Sequence, residues 1–268
     1  NMGLAYVTLD DLTERQMAKN DPKMFLQIHK PPVFIDEVQY APELFTYIKI
    51  HVDQNHRAGD FWLTGSQVFK LMEGIQESLA GRVCLLQMAP MSQAEICGAA
   101  PAPFVLDLEQ LSQRVKERSS IDTPALYERI FRGGMPALIS GQYSDYRAVY
   151  SSYISTYIDR DVKEISGAIL ENFAVSEIAK SYQNCGQEAF IYYYRDKDTK
   201  EIDILLEDSG KLYPMEIKKT ATPQSQLTRV FGVIDKAALE RGTGAVLCTT
   251  DRLSAFDSRN LIVPIWGI

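Results

Sequence analysis

The sequence predicts an α/β protein of two domains joined by a helical region. Three observations lead to this prediction. The chain has 268 residues, of which 46% are hydrophobic, and this is enough for more than one buried core. Short apolar strands alternate with helical segments in the N-terminal part, as in a parallel sheet covered on both faces. The C-terminal part has the order helix, three strands, helix and two strands.

The N-terminal domain is predicted over residues 1–98. Its buried strands are marked by short apolar runs, and its helices by apolar residues at helical spacing. The predicted strands are 6–9, 33–35, 61–63 and 83–86, and the predicted helices are 10–29, 42–51 and 68–79. Ser92 and Glu95 have the spacing of a capping box, which predicts the start of one more helix.

A helical connecting region is predicted over residues 99–167, and its clearest helix is 145–165, where apolar residues form one stripe. The tyrosines of that stripe are interpreted as core residues. The C-terminal domain is predicted over residues 168–268. Its predicted helices are 169–182 and 224–239, and its predicted strands are 191–195, 201–207, 212–218, 245–250 and 261–266.

Charge and composition exclude several protein classes. The net charge is -7 and the isoelectric point about 5.1, which argues against a protein that coats nucleic acid through a basic face. No apolar run is long enough to span a bilayer, so no membrane partner is expected. The four cysteines lie far apart and form no CxxC pair, which is typical of reduced thiols in the cytoplasm.

An acidic pair, Asp36 and Glu37, ends the apolar run at 33–35. Nucleotides bind at the C-terminal ends of strands in open α/β sheets. In P-loop ATPases the first acid of such a pair holds Mg²⁺ and the second polarises the attacking water. Ser66, after the next buried strand, is a candidate to sense a phosphate. Arg82 is a candidate phosphate contact, although a surface arginine at a turn is an equally good interpretation.

These segments together resemble the bacterial and archaeal family of predicted AAA-type ATPases with a C-terminal domain of unknown function. The resemblance covers nearly the whole chain and depends on the order and spacing of individually weak motifs. These motifs are DEVQ at 36–39, LTGS at 63–66, LAGRV at 79–83, PMS at 90–92, RGGMP at 132–136 and YISTYIDRDVKEI at 153–165. The resemblance implies ATP and Mg²⁺ as cofactors and a nucleotide-binding function.

The chain departs from that family in two places. The family opens with a glycine-rich loop ending in Lys-Ser/Thr, whose backbone N–H groups hold the phosphates, and no GxxxxGK[ST] occurs in these 268 residues. A winged-helix-like stretch is also expected where Gly167 runs into the C-terminal domain. We therefore expect segments to be missing before Asn1 and near Gly167. Without the loop, this chain should hydrolyse ATP poorly.

A second set of charged residues lies in the predicted C-terminal domain. Asp203, followed by Glu216 and Lys218, has the form of a PD-(D/E)xK nuclease site. Side chains alternate along a strand, so Glu216 and Lys218 should share a face, with Asp203 on the neighbouring strand. Two carboxylates can hold Mg²⁺, and Lys218 could orient water or stabilise charge. The alternative interpretation is a hairpin whose Glu216 and Lys218 form a surface ion pair.

Glu171 is the candidate fourth member of this site and a further metal ligand. It shares a helix face with Ala174, Val175 and Ile178, an unusual place for a charge unless it faces a site. The order of helix, three strands, helix and strand is that of the nuclease fold. Nearby basic residues could form a phosphate-facing rim or remain solvated loop charges. These residues are Arg195, Lys197, Lys200, Lys211, Lys219 and Arg229.

Three functions remain open from the sequence. The first is an AAA-type ATPase joined to a nuclease-like domain, and the second is a Mg²⁺-dependent nuclease acting on DNA or RNA. The third is a non-catalytic module that binds a partner. The expected partners are a nucleotide in the first case and nucleic acid in the second, and a homo-oligomer is compatible with all three.

Overall fold

In a computed structural model, the described residues are 4–65, 79–143, 145–150, 166–197 and 200–268. The chain divides into two compact units, residues 1–86 and 87–268. In the described parts of the chain, no helix is both long and apolar enough to cross a membrane. All four cysteines are free thiols.

The first unit has a parallel three-stranded sheet with the order β1-β2-β3. The strands are β1 (Ala5–Thr8), β2 (Val33–Asp36) and β3 (Phe61–Leu63). The helices are α1 (Leu12–Asn20), α2 (Pro22–Ile28) and α3 (Leu44–Asn55). They pack with the sheet around a core that includes Val7, Phe25, Ile35, Phe45 and Ile48. The central strand β2 pairs with both β1 and β3.

Three predicted elements of this unit have different outcomes. The single helix predicted at 10–29 is two helices, because Asp21 caps the second through a hydrogen bond to Met24 N–H and Pro22 opens it. The strand predicted at 83–86 is wrong, since those residues have no regular structure. The helix predicted at 68–79 falls almost entirely outside the described residues.

The second unit combines a helical segment with a mixed sheet. The short helix α4 (Gln93–Ile96) carries the predicted capping box of Ser92 and Glu95. The other helices are α5 (Leu108–Glu117), α6 (Thr123–Arg132) and α7 (Pro136–Ile139), followed by the long α8 (Ser166–Gln183). Of the helix predicted at 145–165, residues 146–150 are helical and 151–165 lie outside the described residues.

The mixed sheet has seven strands in the order β4-β5-β6-β8-β10-β9, with β7 also paired to β6. The strands are β4 (Phe190–Arg195), β5 (Glu201–Asp208), β6 (Lys211–Lys218), β7 (Glu240–Arg241), β8 (Gly244–Cys248), β9 (Ser254–Asp257) and β10 (Asn260–Pro264). The strands β4, β5 and β6 are antiparallel, and β6 is parallel to β8. The segment Ser225–Lys236 is a 3₁₀-helix, where an α-helix was expected.

One core joins the helical segment to this sheet. Buried Phe104, Leu111 and Leu126 cluster with residues of α8 and with strand residues such as Met215 and Leu247. The structure therefore places the predicted connecting region in the same compact unit as the C-terminal sheet. The three-part division made from the sequence remains a proposal.

Candidate functional sites in the two units

The first candidate site lies at the C-terminal end of the central strand β2. Asp36 ends this strand, and Thr64 follows β3 directly, so the parallel strands bring the two side chains to one sheet edge. The Thr64 hydroxyl donates a hydrogen bond to Asp36 Oδ1. The Tyr6 hydroxyl, on β1, donates to Asp36 Oδ2 at 2.9 Å. The Asp36 carboxylate is therefore held from both neighbouring strands.

These hydrogen bonds keep Asp36 charged. The Thr64 hydroxyl is the main cause that lowers the pKa of Asp36, and the Tyr6 hydroxyl adds to it against the opposing effect of partial burial. The same contact raises the pKa of Tyr6. A carboxylate that is ionised and fixed in direction is a suitable ligand for a hard cation such as Mg²⁺.

Glu37 follows Asp36 in a left-handed conformation, with φ 56° and ψ 41°. Its backbone N–H lies 3.4 Å from Thr64 Oγ1, and its carboxylate accepts a hydrogen bond from the Gln39 side chain. Non-glycine residues seldom adopt this conformation, and where they do the surrounding structure must hold them in it. Because Glu37 lies in this turn after β2, the direction of its side chain does not follow the alternation of side chains along the strand.

Two other residues, Ser66 and Arg82, were predicted to contact phosphate in this unit. Ser66 lies outside the described residues. Arg82 is paired with Asp53 on α3, with Nε 2.5 Å from Oδ1 and Nη2 3.3 Å from Oδ2. This pairing raises the pKa of Arg82 and lowers that of Asp53. A phosphate would therefore have to compete with Asp53 for the guanidinium.

Thr64 and Tyr6 were not singled out from the sequence. Thr64 lies in the same LTGS segment as Ser66, two residues earlier. Its position directly after β3 is the sequence feature that indicates it. Tyr6 had no such signal, because its contact with Asp36 depends on the pairing of β1 with β2.

The second candidate site is formed by Asp203 on β5 and by Glu216 and Lys218 on β6. The Lys218 ammonium lies 3.1 Å from Asp203 Oδ2 and 2.8 Å from Glu216 Oε2. Asp203 Oδ2 also accepts a hydrogen bond of 2.8 Å from the backbone N–H of Ile217. Glu216 and Lys218 share a face of β6, and Asp203 meets them from the adjacent strand.

Burial and charge act in opposite directions on these groups. Glu216 is only 7% exposed, and this burial is the main cause that raises its pKa to about 7, with a further contribution from Asp203 and an opposing one from Lys218. Burial alone would lower the pKa of Lys218, but the two carboxylates outweigh it and raise the pKa. The ammonium is thus the counter-charge of Asp203 and, where it is ionised, of Glu216.

Glu171 does not join this cluster. Its position on α8 is exposed, whereas Ala174 and Ile178 on the same helix are buried. Nowhere in the described ranges do three or more His, Cys, Asp or Glu side chains come together as metal ligands. The two carboxylates supply hard oxygen atoms that fit Mg²⁺, but the remaining ligands would have to be backbone or water oxygens.

The basic residues around this site are partly engaged elsewhere. Arg195 pairs with Glu201 at 3.0 Å and Lys211 pairs with Glu240 at 3.2 Å. The Lys219 ammonium lies 4.9 Å from the centre of the Tyr127 ring. The remaining three are exposed: Lys197, Lys200 and Arg229. Half of the predicted rim residues are therefore engaged with other side chains.

Two family models match segments of the chain. Residues 1–97 match the family model of an AAA domain. This match agrees with the parallel sheet of the first unit, and it extends into α4 of the second unit. An AAA domain suggests an ATPase-like function with nucleotide binding. Residues 166–268 match the model of a domain of unknown function (DUF4143).

Two curated relatives are mycobacterial proteins, each named as uncharacterized: Mb2031c of Mycobacterium bovis and Rv2008c of Mycobacterium tuberculosis. Each is 23% identical over 241 residues, which cover 82% of this chain and 49% of the relative. The chain thus spans about half the length of these relatives. No solved structure matches the chain.

Proposed function

We propose that the AAA domain binds and hydrolyses ATP, with Asp36 and Glu37 as its acidic centre. The observation that carries this proposal is the hydrogen bond from Thr64 to Asp36 at the C-terminal edge of the parallel sheet. That edge is where nucleotides bind in open α/β sheets. The contact keeps an ionised carboxylate in a fixed direction, as a ligand of a hard cation requires.

The proposed roles follow from the position of each side chain. Asp36 holds Mg²⁺, which neutralises charge on the phosphates when it is bound. Glu37 accepts a proton from the attacking water, and its left-handed turn aims the carboxylate independently of Asp36. Thr64 positions both residues, because its hydroxyl contacts the Asp36 carboxylate and the Glu37 N–H. Ser66 and Arg82 remain proposed phosphate contacts.

We propose this function for the gene product together with any phosphate-binding loop that it contains, called here the full gene product. The lysine and glycine-rich loop that hold phosphates in related ATPases do not occur in these 268 residues. The chain by itself is therefore proposed to bind ATP weakly. The four free cysteines fit a reducing compartment such as the cytoplasm.

Calorimetry with Mg-ATP tests this proposal. The full gene product should bind Mg-ATP, and its affinity should fall about tenfold or more with Asp36→Asn when Mg²⁺ is present but not when EDTA replaces it. Glu43→Gln, which alters an exposed acid of the same unit, is the matched control and should bind normally. Tight binding by the 268-residue chain alone would mean that another site holds the phosphates.

A second candidate function is a metal-dependent nuclease activity of the C-terminal domain. It is favoured by the convergence of Asp203, Glu216 and Lys218, in a sheet whose helix and strand order resembles the PD-(D/E)xK nuclease fold. Asp203 and Glu216 would hold Mg²⁺, and Lys218 would release its ion pairs to orient water or stabilise charge on the phosphate. A domain of this kind with an inert site would instead bind a partner.

Cleavage assays separate these two outcomes. DNA and RNA substrates, incubated with the protein and Mg²⁺ or Mn²⁺, should be cut by the unaltered protein and by Asp251→Asn, an exposed acid in the same unit. Lys218→Met should abolish cutting. If the protein cuts neither substrate with either metal, the nuclease function is excluded and the partner-binding function remains.

A further inference from the structure

A cleft of about 740 Å³ opens in the second unit. Its described lining residues do not include Asp203, Glu216 or Lys218. It is bordered by α4, by the ends of α5 and α6, and by Trp266. Ligand sites for small molecules occupy roughly 300–1,000 Å³. The cleft is therefore large enough for an organic molecule rather than a single ion.

Three arginines line this cleft. Arg129 and Arg132 are three residues apart on α6, and Arg118 caps the end of α5. No Asp or Glu side chain in the described part of the chain forms an ion pair with any of the three. Glu117 also lines the cleft and accepts a hydrogen bond from Gln113 at 2.8 Å. In a chain whose net charge is -7, this is a local excess of positive charge.

Among the described residues, the three guanidinium groups have few hydrogen-bond partners. Arg118 donates to the backbone oxygens of Trp266 and Ile268, Arg129 lies 3.8 Å from Cys97 Sγ, and Arg132 donates to Leu138 O at 3.3 Å. A guanidinium has five N–H donors, so these contacts leave several on each. Burial lowers the pKa of Arg118, although nearby Glu177 and Glu117 oppose this effect, so an anionic ligand would stabilise its charge further.

Gln93 supplies an independent observation. It lines the same cleft and is only 9% exposed, and its side-chain oxygen Oε1 is buried without a hydrogen-bond partner among the described residues. Its backbone N–H is engaged with Glu177 at 2.7 Å, so the residue is fixed in place. A buried acceptor without a donor is unfavourable, and a ligand that brings an O–H or N–H group would satisfy it.

We infer that this cleft binds a phosphorylated small molecule that also carries a hydroxyl or amino group. The arginines recognise the phosphate, since planar guanidinium groups match its oxygens in pairs. The Gln93 side chain accepts the hydrogen bond of the neighbouring hydroxyl or amine. Ile96, Ile139 and Trp266 supply the apolar part of the wall. This site is separate from both proposed catalytic centres and does not depend on either function.

Two glycines allow the cleft to form. Gly133 ends α6 with a φ of 66°, which favours glycine. Gly134 O accepts a hydrogen bond of 2.8 Å from Met91 N–H, and a Cβ on Gly134 would lie 2.1 Å from Met91 O. This close approach brings the end of α6, with its arginines, against the segment that leads into Gln93. It gives the RGGMP segment a structural role.

Titration calorimetry of the 268-residue chain tests the inference with three probes. Ribose 5-phosphate carries both a phosphate and hydroxyl groups, inorganic phosphate carries the anion, and ribose carries the hydroxyl groups. Ribose 5-phosphate should bind at least about tenfold more tightly than inorganic phosphate, and ribose should not bind measurably. Failure of both phosphate probes to bind the unaltered chain would overturn the inference, as would equal affinity for the two.

Variants assign the binding to the cleft. Arg129→Ala and Arg132→Ala should each weaken both phosphate probes about tenfold, and Arg132→Lys should restore only part of the affinity because it lacks the planar fork. Gln93→Leu should lower the affinity for ribose 5-phosphate to that for inorganic phosphate. Lys116→Ala, an exposed charge on α5 outside the cleft, and Asp36→Asn should change neither. Unchanged binding in both arginine variants, with folding verified by circular dichroism, would contradict the inference.

Discussion

Thr64 donates a hydrogen bond from its hydroxyl to Asp36 Oδ1, across the C-terminal ends of two neighbouring parallel strands. The same hydroxyl oxygen lies 3.4 Å from the backbone nitrogen of Glu37. One threonine thus fixes both acids of the proposed ATPase centre. Because it stabilises the charged form of Asp36, it links the geometry of the sheet to metal binding.

Replacement of Thr64 by valine should therefore raise the pKa of Asp36. Valine has nearly the same shape but no hydroxyl, so the main cause of the lowered pKa is removed. Carbon-detected NMR titration of the Asp36 carboxyl measures this pKa directly. Thr64→Ser keeps the hydroxyl and should leave the pKa low. An identical Asp36 pKa in the valine variant and the unaltered chain would show that Thr64 does not set this charge.

Glu216 should make the second unit less stable as the pH rises through neutrality. Its folded pKa is raised to about 7, so the folded state holds a proton that the unfolded state has lost. The stabilisation by that proton is complete below the unfolded pKa of 4.5 and is lost as the pH rises from there through the folded pKa of about 7.

Urea unfolding of the unaltered chain and of Glu216→Gln checks this pH dependence. Between about pH 5 and pH 8 the unaltered chain should lose on the order of 2 kcal/mol relative to the glutamine variant. Glutamine cannot titrate, and effects of all other groups cancel in the difference. Parallel pH profiles for the two proteins would show that Glu216 is ionised throughout this range.

Gly134→Ala should destabilise the second unit by about 1–3 kcal/mol, because the added Cβ collides with backbone rather than with a movable side chain. Thermal unfolding should show a melting temperature lower by about 2–4 °C for each kcal/mol. Gly232→Ala is the matched control, since a Cβ there meets nothing within 4 Å. Equal melting temperatures for the two variants would mean that the contact with Met91 yields easily.

A divalent ion should raise the melting temperature of the second unit if Asp203 and Glu216 bind it. Asp203→Asn, nearly unchanged in size, should abolish the shift produced by Mn²⁺ or Mg²⁺. Asp251→Asn, which alters an exposed acid elsewhere in the unit, should retain it. Since Lys218 already balances the carboxylates, Lys218→Met should enlarge the shift. If neither metal shifts the unaltered chain, this pair of carboxylates does not bind divalent ions.

Local patterns predicted most of the strands and helices. The apolar run before Asp36 specified β2, and the spacing of Ser92 and Glu95 specified a capped helix. Side-chain alternation placed Glu216 and Lys218 on one face of β6. These predictions succeed because each depends on neighbours within one element.

Other features depend on contacts between distant segments. Tyr6 reaches Asp36 only because β1 pairs with β2, and the Gln93 backbone N–H donates to the distant Glu177. The apolar residues near Glu171 suggested a buried acid, but the helix turns that position to solvent. No local pattern distinguishes these cases, so the arginine cleft and the Thr64 contact required the folded structure.

The most direct test of the proposed ATPase function is single-turnover hydrolysis of radiolabelled ATP by the full gene product and its Glu37→Gln variant. The variant should bind Mg-ATP normally but hydrolyse it about 100-fold or more slowly, because glutamine cannot accept the proton of the attacking water. Hydrolysis at an unchanged rate in the Glu37→Gln variant would contradict the proposed role of the acidic pair.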